Sequence, residues 1–438
     1  MSSRGNTDEA KPGPLALLRA TLLFAAFLAL PLTLAAALLL APTAQARLTF
    51  PEAQGLGGGG YDPQVAVDSQ DRATVVWSGI QSVRLGADGS IGTVQNLGEG
   101  DSPQVAVDAL GRATVVWRNF DDGVQALRLD AEGNAGAVHT LSGTAARDPQ
   151  VAVHPQGRAT VVWRRAGPTA GGIDSTVESV ALDADGTPGE VRTLSRAGVR
   201  DPQVAVDAQG RATVVWCLTE EARGIQAVRL GADGTPTVVR TLSKTKCFDP
   251  QVALEARGRA TVVWDGGKIR TVRLGANGNA GAMKTLSKTR AGTPQVAVDT
   301  RGRATVVWTR GMNTGFGGWT YRIQSVRLGA GGAPGAVQTL SRGSRTIANA
   351  VHAHRPQVAV DSKGRATVVW ERECASCIGV VDIQARRLGT GGTPGATHRL
   401  SGNGLHLTPQ VAVDSQDRPR VVWEREDHPI QTTRGDSR

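Results

Sequence analysis

Hydrophobic and polar residues recur in one order eight times along the chain, and a clear copy runs from Pro103 to Trp117. This copy reads Pro-Gln-Val-Ala-Val-Asp, a short turn, then Arg-Ala-Thr-Val-Val-Trp. Both apolar stretches are short and β-branched, which predicts two strands. The intervening Asp-x-x-Gly-Arg predicts a tight turn in which Asp bonds back to the backbone and Gly takes a positive φ. The copies begin at Pro63, Pro103, Pro149, Pro202, Pro250, Pro294, Pro356 and Pro409.

Each hairpin is followed by two further strand patterns. In the fourth copy these are Ile225–Leu230, an Asp-Gly turn, and a segment that ends at Val239–Ser243. Every repeat therefore predicts a four-stranded antiparallel meander, and no helical periodicity follows residue 46. A repeat length of roughly 40 to 60 residues is typical of propeller blades and large solenoid units.

A tryptophan ends the second strand of every copy. A single meander leaves both faces apolar, so neighbouring sheets are expected to pack these faces together, and each buried Trp contributes about 2–3 kcal/mol of transfer free energy. We interpret these eight residues as core: Trp77, Trp117, Trp163, Trp216, Trp264, Trp308, Trp370 and Trp423.

The ends of the repeat array favour a closed ring over an open solenoid. The eighth copy has a third strand at Ile430–Thr433 but no fourth. The segment Phe50–Leu56 matches the fourth-strand segment Pro334–Leu340 in its Pro and its final Leu. We therefore predict an all-β, eight-bladed β-propeller over residues 47–438, whose closing blade combines three C-terminal strands with one N-terminal strand and leaves no open sheet edge.

The repeat Pro-Gln-Val-Ala-Val-Asp-x-x-Gly-Arg, followed by Ile-Gln-x-Val-Arg-Leu, resembles the NHL propeller repeat over nearly the whole chain after residue 46. It differs in the Trp that ends the second strand and in having eight copies where that family usually has six. Sialidase-type (BNR) propellers are more distantly similar, because their Asp-box is absent here: Asp108 and Trp117 lie nine residues apart. Neither resemblance implies a particular function, because each family includes proteins of different functions.

Two of the four connections in each repeat vary in length, the second-to-third and the fourth-to-first, and both emerge on one face of a meander ring. We call this the variable face. Loops on a rigid scaffold carry binding chemistry, and aromatic residues supply contact area at low entropic cost. The longest insertions contain Gly311–Tyr321 and Ser344–His354. The predicted binding residues are Phe316, Trp319, Tyr321, His352, His354, Phe120 and Phe248.

All four cysteines also fall on the variable face. We predict the disulfides Cys217–Cys247 and Cys374–Cys377, the first worth about 3–4 kcal/mol. An alternative interpretation groups Cys374, Cys377, His352, His354 and His406 as a zinc site. The acidic residues on this face, Glu220-Glu221 and Glu371-Arg-Glu373, are interpreted as solvated charge.

Residues 1–46 differ from the repeats. A polar start to Arg19, an apolar run over Thr21–Leu40 and Ala44-Gln45-Ala46 predict a secretory signal peptide, so the mature protein is expected outside the cytoplasm. The alternative is an uncleaved anchor, since the run approaches the roughly 20 residues that span a bilayer.

The formal net charge is +10, and much of it is an arginine present in every copy, which we expect to pair with the Asp four residues earlier. We predict a non-enzymatic, monomeric binding or scaffold protein, without cofactor or metal, that recognises an extracellular glycan, wall polymer or protein through the variable face. A purely structural role in the cell envelope is a further alternative. We expect no specific nucleic-acid partner and no membrane contact after cleavage. The alternative is a propeller-type hydrolase or lactonase with a metal-assisted site near the central channel.

Overall fold

The computed structural model describes residues 48–167, 174–219, 223–288, 290–313, 319–341, 351–374, 380–426 and 428–437. These residues form an eight-bladed propeller of four-stranded antiparallel sheets, which confirms the predicted fold class. Within these ranges no helix is long and apolar enough to cross a membrane. The predicted signal peptide lies outside the described residues and stays a prediction.

The strands follow the repeat. Two N-terminal strands come first: β1 (Leu48–Thr49) and β2 (Gln54–Gly59). Blades one to four contain β3 (Gln64–Val67), β4 (Ala73–Trp77), β5 (Gln81–Leu85), β6 (Gln95–Asn96); β7 (Asp101–Val107), β8 (Ala113–Asn119), β9 (Gly123–Leu129), β10 (His139–Thr140); β11 (Ala146–Val153), β12 (Ala159–Arg165), β13 (Thr176–Leu182), β14 (Arg192–Thr193); and β15 (Val199–Val206), β16 (Ala212–Leu218), β17 (Gly224–Leu230), β18 (Arg240–Ser243).

The second half of the ring repeats this order. Blades five to eight contain β19 (Phe248–Leu254), β20 (Ala260–Asp265), β21 (Ile269–Leu274), β22 (Lys284–Thr285); β23 (Ala291–Val298), β24 (Ala304–Asn313), β25 (Trp319–Leu328), β26 (Gln338–Thr339); β27 (Val351–Val360), β28 (Ala366–Cys374), β29 (Val381–Leu388), β30 (Pro394–Arg399); and β31 (His406–Val413), β32 (Pro419–Arg425), β33 (Pro429–Arg434), with β34 (Asp436–Ser437) at the end.

The turn between the first two strands has the predicted chemistry. Asp108 Oδ1 accepts hydrogen bonds from the backbone amides of Leu110 and Arg112, each at 2.9 Å. Gly111 between them has φ 82°, a left-handed conformation that glycine adopts without steric cost. The carboxylate thus fixes the hairpin locally and leaves its second oxygen for other partners.

The core lies between the blades. All eight repeated tryptophans are fully buried, as predicted. Trp117 of blade two, for example, packs in one cluster with Val76, Ile80 and Leu97 of blade one. The first strand of each blade contacts the first strand of the next, from β3 round to β31 and back to β3. The first strands therefore line the axis, and the ring is closed.

Closure uses both ends of the described chain. Strand β2 pairs with β33, with Gln54 opposite Thr432, and Leu56 is buried in the core of blades eight and one. The predicted three-plus-one blade is therefore correct, and its outer strand is β2, Gln54–Gly59. A further pairing, Leu48 with Ser437 in β1 and β34, was not predicted.

A buried network of ionic and hydrogen bonds joins the blades on the face opposite the variable loops. Asp108 Oδ2 accepts from Arg112 at 2.7 Å, which is the predicted pair. It also accepts from the third-strand Arg128 at 2.6 Å, and Arg128 donates to the carbonyl of Gly157 in the next blade at 2.7 Å. The periodic charge is therefore largely structural. The sequence predicted the pair four residues apart but not the additional bond from the third-strand arginine.

Candidate functional site

The longest insertion extends a hairpin above the ring. Strands β24 and β25 have ten residues each and continue past Trp308, with Gly311 opposite Tyr321 and Asn313 opposite Trp319. This extension places both aromatic residues on the variable face. The predicted binding residue Phe316 lies outside the described residues.

A cleft of about 1040 Å³ opens beside this hairpin. It is bounded by the variable connections and strand ends of blades five, six and seven. Its lining residues are Asp265, Gly267, Arg290, Ala291, Gly292, Thr293, Thr309, Gly311, Trp319, Tyr321, His354, Arg355 and Glu371. Three predicted binding residues, Trp319, Tyr321 and His354, thus line one cavity with polar side chains around them.

Aromatic rings form one side of the cleft. The Tyr321 ring centre lies 4.9 Å from that of His354 and 5.7 Å from that of His352. The two histidine rings stack with centres 5.9 Å apart. His352 therefore supports the cleft from beside it. The Arg290 guanidinium lies over the Trp319 indole, 3.7 Å from the ring centre.

Charged groups of the cleft differ in their partners. Glu371 is only 5% exposed and accepts from Arg355 at 3.1 Å and from the Thr408 amide at 2.7 Å. The interpretation of Glu371 as a solvated charge is therefore wrong, because its side chain is buried where blade seven meets blade eight. Burial raises the pKa of Asp265. Burial, and next the neighbouring His352, lower the pKa of His354, which favours its neutral form.

Two predicted binding residues lie elsewhere on the variable face. Phe120 is 57% exposed in the β8–β9 connection, with Arg118 5.0 Å from its ring centre. Phe248, at the start of β19, lies 4.3 Å from Arg200. Neither of them lines the cleft.

A second cavity, of about 360 Å³, lies on the axis. Its lining contains the Pro-Gln pair within the first strand of most blades, together with Asp62, Asp148, Asp201 and Asp249. Thr293 and Arg355 line both cavities, so the cleft and the channel mouth adjoin. Burial raises the pKa values of Asp62, Asp201 and Asp249, although the Asp201 side chain keeps 40% exposure to the channel mouth.

The residue before each repeated proline has a left-handed backbone, which sequence reasoning missed. Its signal was present in the sequence: four of these positions are Asp, a residue that tolerates positive φ. Except in the first blade, the strand pairing shifts register there, as between Arg147 and Gln150. The residues and their φ angles are Asp62 (53°), Ser102 (52°), Asp148 (56°), Asp201 (54°), Asp249 (46°), Thr293 (48°), Arg355 (46°) and Thr408 (49°).

Cys217 and Cys247 form a disulfide with a Cα–Cα distance of 5.4 Å, the pairing predicted between neighbouring blades. The second predicted pair cannot be placed in the same way, since Cys377 and the Cys374 side chain lie outside the described residues. Among the residues that are described, no three His, Cys, Asp or Glu side chains are grouped to hold a metal ion. His406 is instead buried beside Trp423, whose Nε1 donates to its Nδ1 at 3.1 Å.

Comparisons with known proteins establish the fold of this chain but not its family or function. No family model matches the sequence, and no curated protein is significantly similar to it. The fold is similar to the Dos1 propeller, at 8% identity and TM-score 0.55, over 88% of this chain and 95% of that one. A puromycin hydrolase is similar at 16% identity and TM-score 0.50, over 84% of this chain but 58% of the other.

A third similar structure is a polysaccharide lyase, an ulvan lyase bound to a glucuronate-containing glycan, at 9% identity and TM-score 0.51, over 74% of this chain and 90% of that one. At such identities the similarity establishes a β-propeller fold alone. The NHL-like character of the repeat stays a prediction.

Proposed function

We propose that this protein is a secreted, non-enzymatic binding protein that recognises an extracellular glycan through the cleft on its variable face. The observation that carries the proposal is the combination of Trp319 and Tyr321 with Asp265, Thr293 and Thr309 in one open cavity. Aromatic faces pack against the apolar faces of sugar rings, while a few placed polar groups bind hydroxyls and fix orientation.

The position of the cleft supports this function. Its walls come from three blades of a closed ring, and Trp319 and Tyr321 are held on the paired strands β24 and β25. A rigid scaffold of this kind lowers the entropic cost of ordering side chains on binding. The volume of about 1040 Å³ accommodates an extended ligand larger than one sugar ring.

Secretion is part of the proposal and rests on two observations. The sequence predicts a signal peptide over residues 1–46, and the Cys217–Cys247 disulfide is compatible with an oxidising compartment. Expression of the full chain, followed by N-terminal sequencing of protein recovered outside the cell, tests it. A product that starts near Arg47 supports secretion, and an uncleaved chain retained with the membrane contradicts it.

A glycan array probed with the purified protein tests the binding function. Trp319→Ala should lower binding to the preferred glycan by about tenfold or more, since buried aromatic anchors carry 2 kcal/mol or more at binding sites. Phe120→Ala is the matched control, because Phe120 is an exposed aromatic on the same face outside the cleft. Equal binding by all three proteins, with unchanged melting temperatures, would contradict the proposal.

The alternative of a propeller-type hydrolase or lactonase is favoured by one observation, the raised pKa values of Asp201 and Asp249 at the channel mouth. Carboxyl groups of raised pKa are suited to general acid catalysis. Turnover of lactone or glycoside substrates that is lost in Asp201→Asn, and retained in Trp319→Ala, would favour this enzyme over the binding protein.

A further inference from the structure

Among the described residues, the variable face carries three arginine–aromatic stacks, with the guanidinium carbon 5.0, 4.3 and 3.7 Å from the ring centre. Arg118 lies over Phe120, Arg200 over Phe248, and Arg290 over Trp319. A guanidinium stacked on a ring is held in one plane, while its N–H groups stay directed outward at the edge. Each stack is therefore a preorganised donor array for a planar or tetrahedral anion.

The three stacks differ in charge compensation. Arg118 lies 3.5 Å from the carboxylate of Asp101, and Arg200 lies 3.9 Å from that of Asp201. Arg290 forms no ion pair with any carboxylate of the described residues. Of the three stacks in the described part of the chain, only that of Arg290 thus presents a guanidinium without an ion-paired carboxylate.

The rest of the cleft does not cancel this charge. Glu371 is already bound by Arg355 and by the amide of Thr408. Asp265 lies on the blade-five side of the cleft, where burial raises its pKa, and its Oδ1 accepts from the Gly267 amide at 2.6 Å. Asp265 can therefore form hydrogen bonds with ligand hydroxyl groups, and among the described residues it forms no ion pair with Arg290.

We propose that the cleft selects acidic polysaccharides, binding a carboxylate or sulfate substituent of the glycan at the guanidinium edge of Arg290 while the sugar ring packs against Tyr321. This inference rests on the proposed glycan-binding function and specifies its ligand class. The net charge of +10 adds long-range attraction for a polyanion, but the local stack provides the discrimination.

The test compares one polymer in two charge states: polygalacturonate and its fully methyl-esterified form, measured by titration calorimetry. A sulfated galactan and its desulfated form make a second pair, which distinguishes carboxylate from sulfate recognition. The wild-type protein should bind at least one acidic polymer about tenfold more tightly than its neutral partner. Binding of the neutral forms with equal affinity would overturn the inference.

Arg290→Gln removes the charge and keeps a planar amide, and Arg290→Lys keeps the charge but loses the stacked fork. Arg290→Gln should weaken acidic-polymer binding by about ten- to a hundredfold, the value of hydrogen bonds to a charged group, and change neutral-polymer binding less than twofold. The affinity of Arg290→Lys for the acidic polymer should lie between those of the wild type and Arg290→Gln. Arg118→Gln, in a stack outside the cleft, should match the wild type. Equal losses for both polymers in Arg290→Gln would overturn the inference.

Glycan binding and the preference for acidic glycans can be refuted separately. Trp319-dependent binding of neutral and acidic glycans alike refutes the acidic preference and leaves the glycan-binding function intact. Absence of Trp319-dependent binding to any glycan refutes both. Single-stranded DNA of equal charge density that binds as tightly as polygalacturonate, and equally in Arg290→Gln, would show attraction by net charge and overturn the selectivity.

Discussion

His154 Nε2 lies 2.9 Å from the carbonyl oxygen of Ala208, across the junction between blades three and four. At the other seven junctions a third-strand arginine donates to a backbone carbonyl of the next blade: Arg84, Arg128, Arg229, Arg273, Arg327, Arg387 and Arg434. Blade three has Ala181 at that position and His154 in place of the turn aspartate. The two exchanges compensate each other, since one histidine replaces a carboxylate and a guanidinium.

This compensation can be tested by restoring the common arrangement. The double variant His154→Asp with Ala181→Arg should retain the melting temperature of the parent, because it recreates the bonds made by Asp108 and Arg128 in blade two. Each single variant should melt lower, since one has a carboxylate without the bridging arginine and the other buries a guanidinium without its carboxylate. Additive effects of the two substitutions in thermal denaturation would contradict this explanation.

Closure of the ring depends on the outer strand of blade eight. Leu56→Ala should lower the free energy of unfolding by about 2–5 kcal/mol, because Leu56 is 2% exposed and its loss leaves a cavity between blades eight and one. Leu110→Ala is the matched control: Leu110 is 60% exposed, and its change should stay within about 0.5 kcal/mol. Denaturant titration of both variants measures the difference, and similar effects would argue against this closing strand.

The Cys217–Cys247 disulfide closes a loop with a sequence separation of 30 residues. Its removal in Cys217→Ala with Cys247→Ala should cost about 3–4 kcal/mol by loop entropy. The difference from the parent should disappear when both proteins are unfolded in reductant, where the parent also lacks the bond. Peptide mapping under non-reducing conditions checks the pairing, and a Cys217 peptide linked to any other cysteine would refute it.

Asp201 should make stability depend on pH. Because its folded pKa is raised, chiefly by burial, the native state binds more protons than the unfolded state above the unfolded value of about 3.9. The contribution of Asp201 to stability is therefore lost as pH rises through the folded pKa. Asp201→Asn should be more stable than the parent at pH 7, and the gain should shrink towards pH 4. Asn also accepts the left-handed φ of 54°.

The matched control is Asp88→Asn. Asp88 is fully exposed, and hydrogen bonds from Ser90 lower its pKa. The pKa of Asp88 is shifted in the opposite direction to that of Asp201, so Asp88→Asn should not stabilise the protein at pH 7. Parallel unfolding curves at several pH values compare the two variants, and a pH-independent difference between Asp201→Asn and the parent would contradict the assignment.

The repeat made the fold predictable from sequence. Strand patterns, the Asp-x-x-Gly turn and the buried Trp117 position are local signals, and eight copies of each made their agreement decisive. Ring closure was predictable because Leu56 matches the end of a fourth strand. The same match gives the register: Gly55, before Leu56, lies opposite Gln431, just as Thr339, before Leu340, lies opposite Gln324.

The site was predictable only in part. Tyr321 and Trp319 stood out as aromatics in a long insertion, but Arg290 resembles any other loop arginine in the sequence. Its role depends on which blade lies next to which, and on the indole beneath it. Glu371 was misjudged for the same reason, since its burial arises from Arg355 and from an amide of the following blade.

The pairing of Leu48 with Ser437 brings the two ends of the propeller side by side. A few residues of flexible peptide would suffice to link them covalently, and the chain could then be cut at another variable connection, such as that between β8 and β9. Such a circular permutant would keep every blade and every junction, because no blade is the first in a closed ring. The position of the chain ends is therefore set by the order of the coding sequence, and the closed ring does not require the ends to lie in any particular blade.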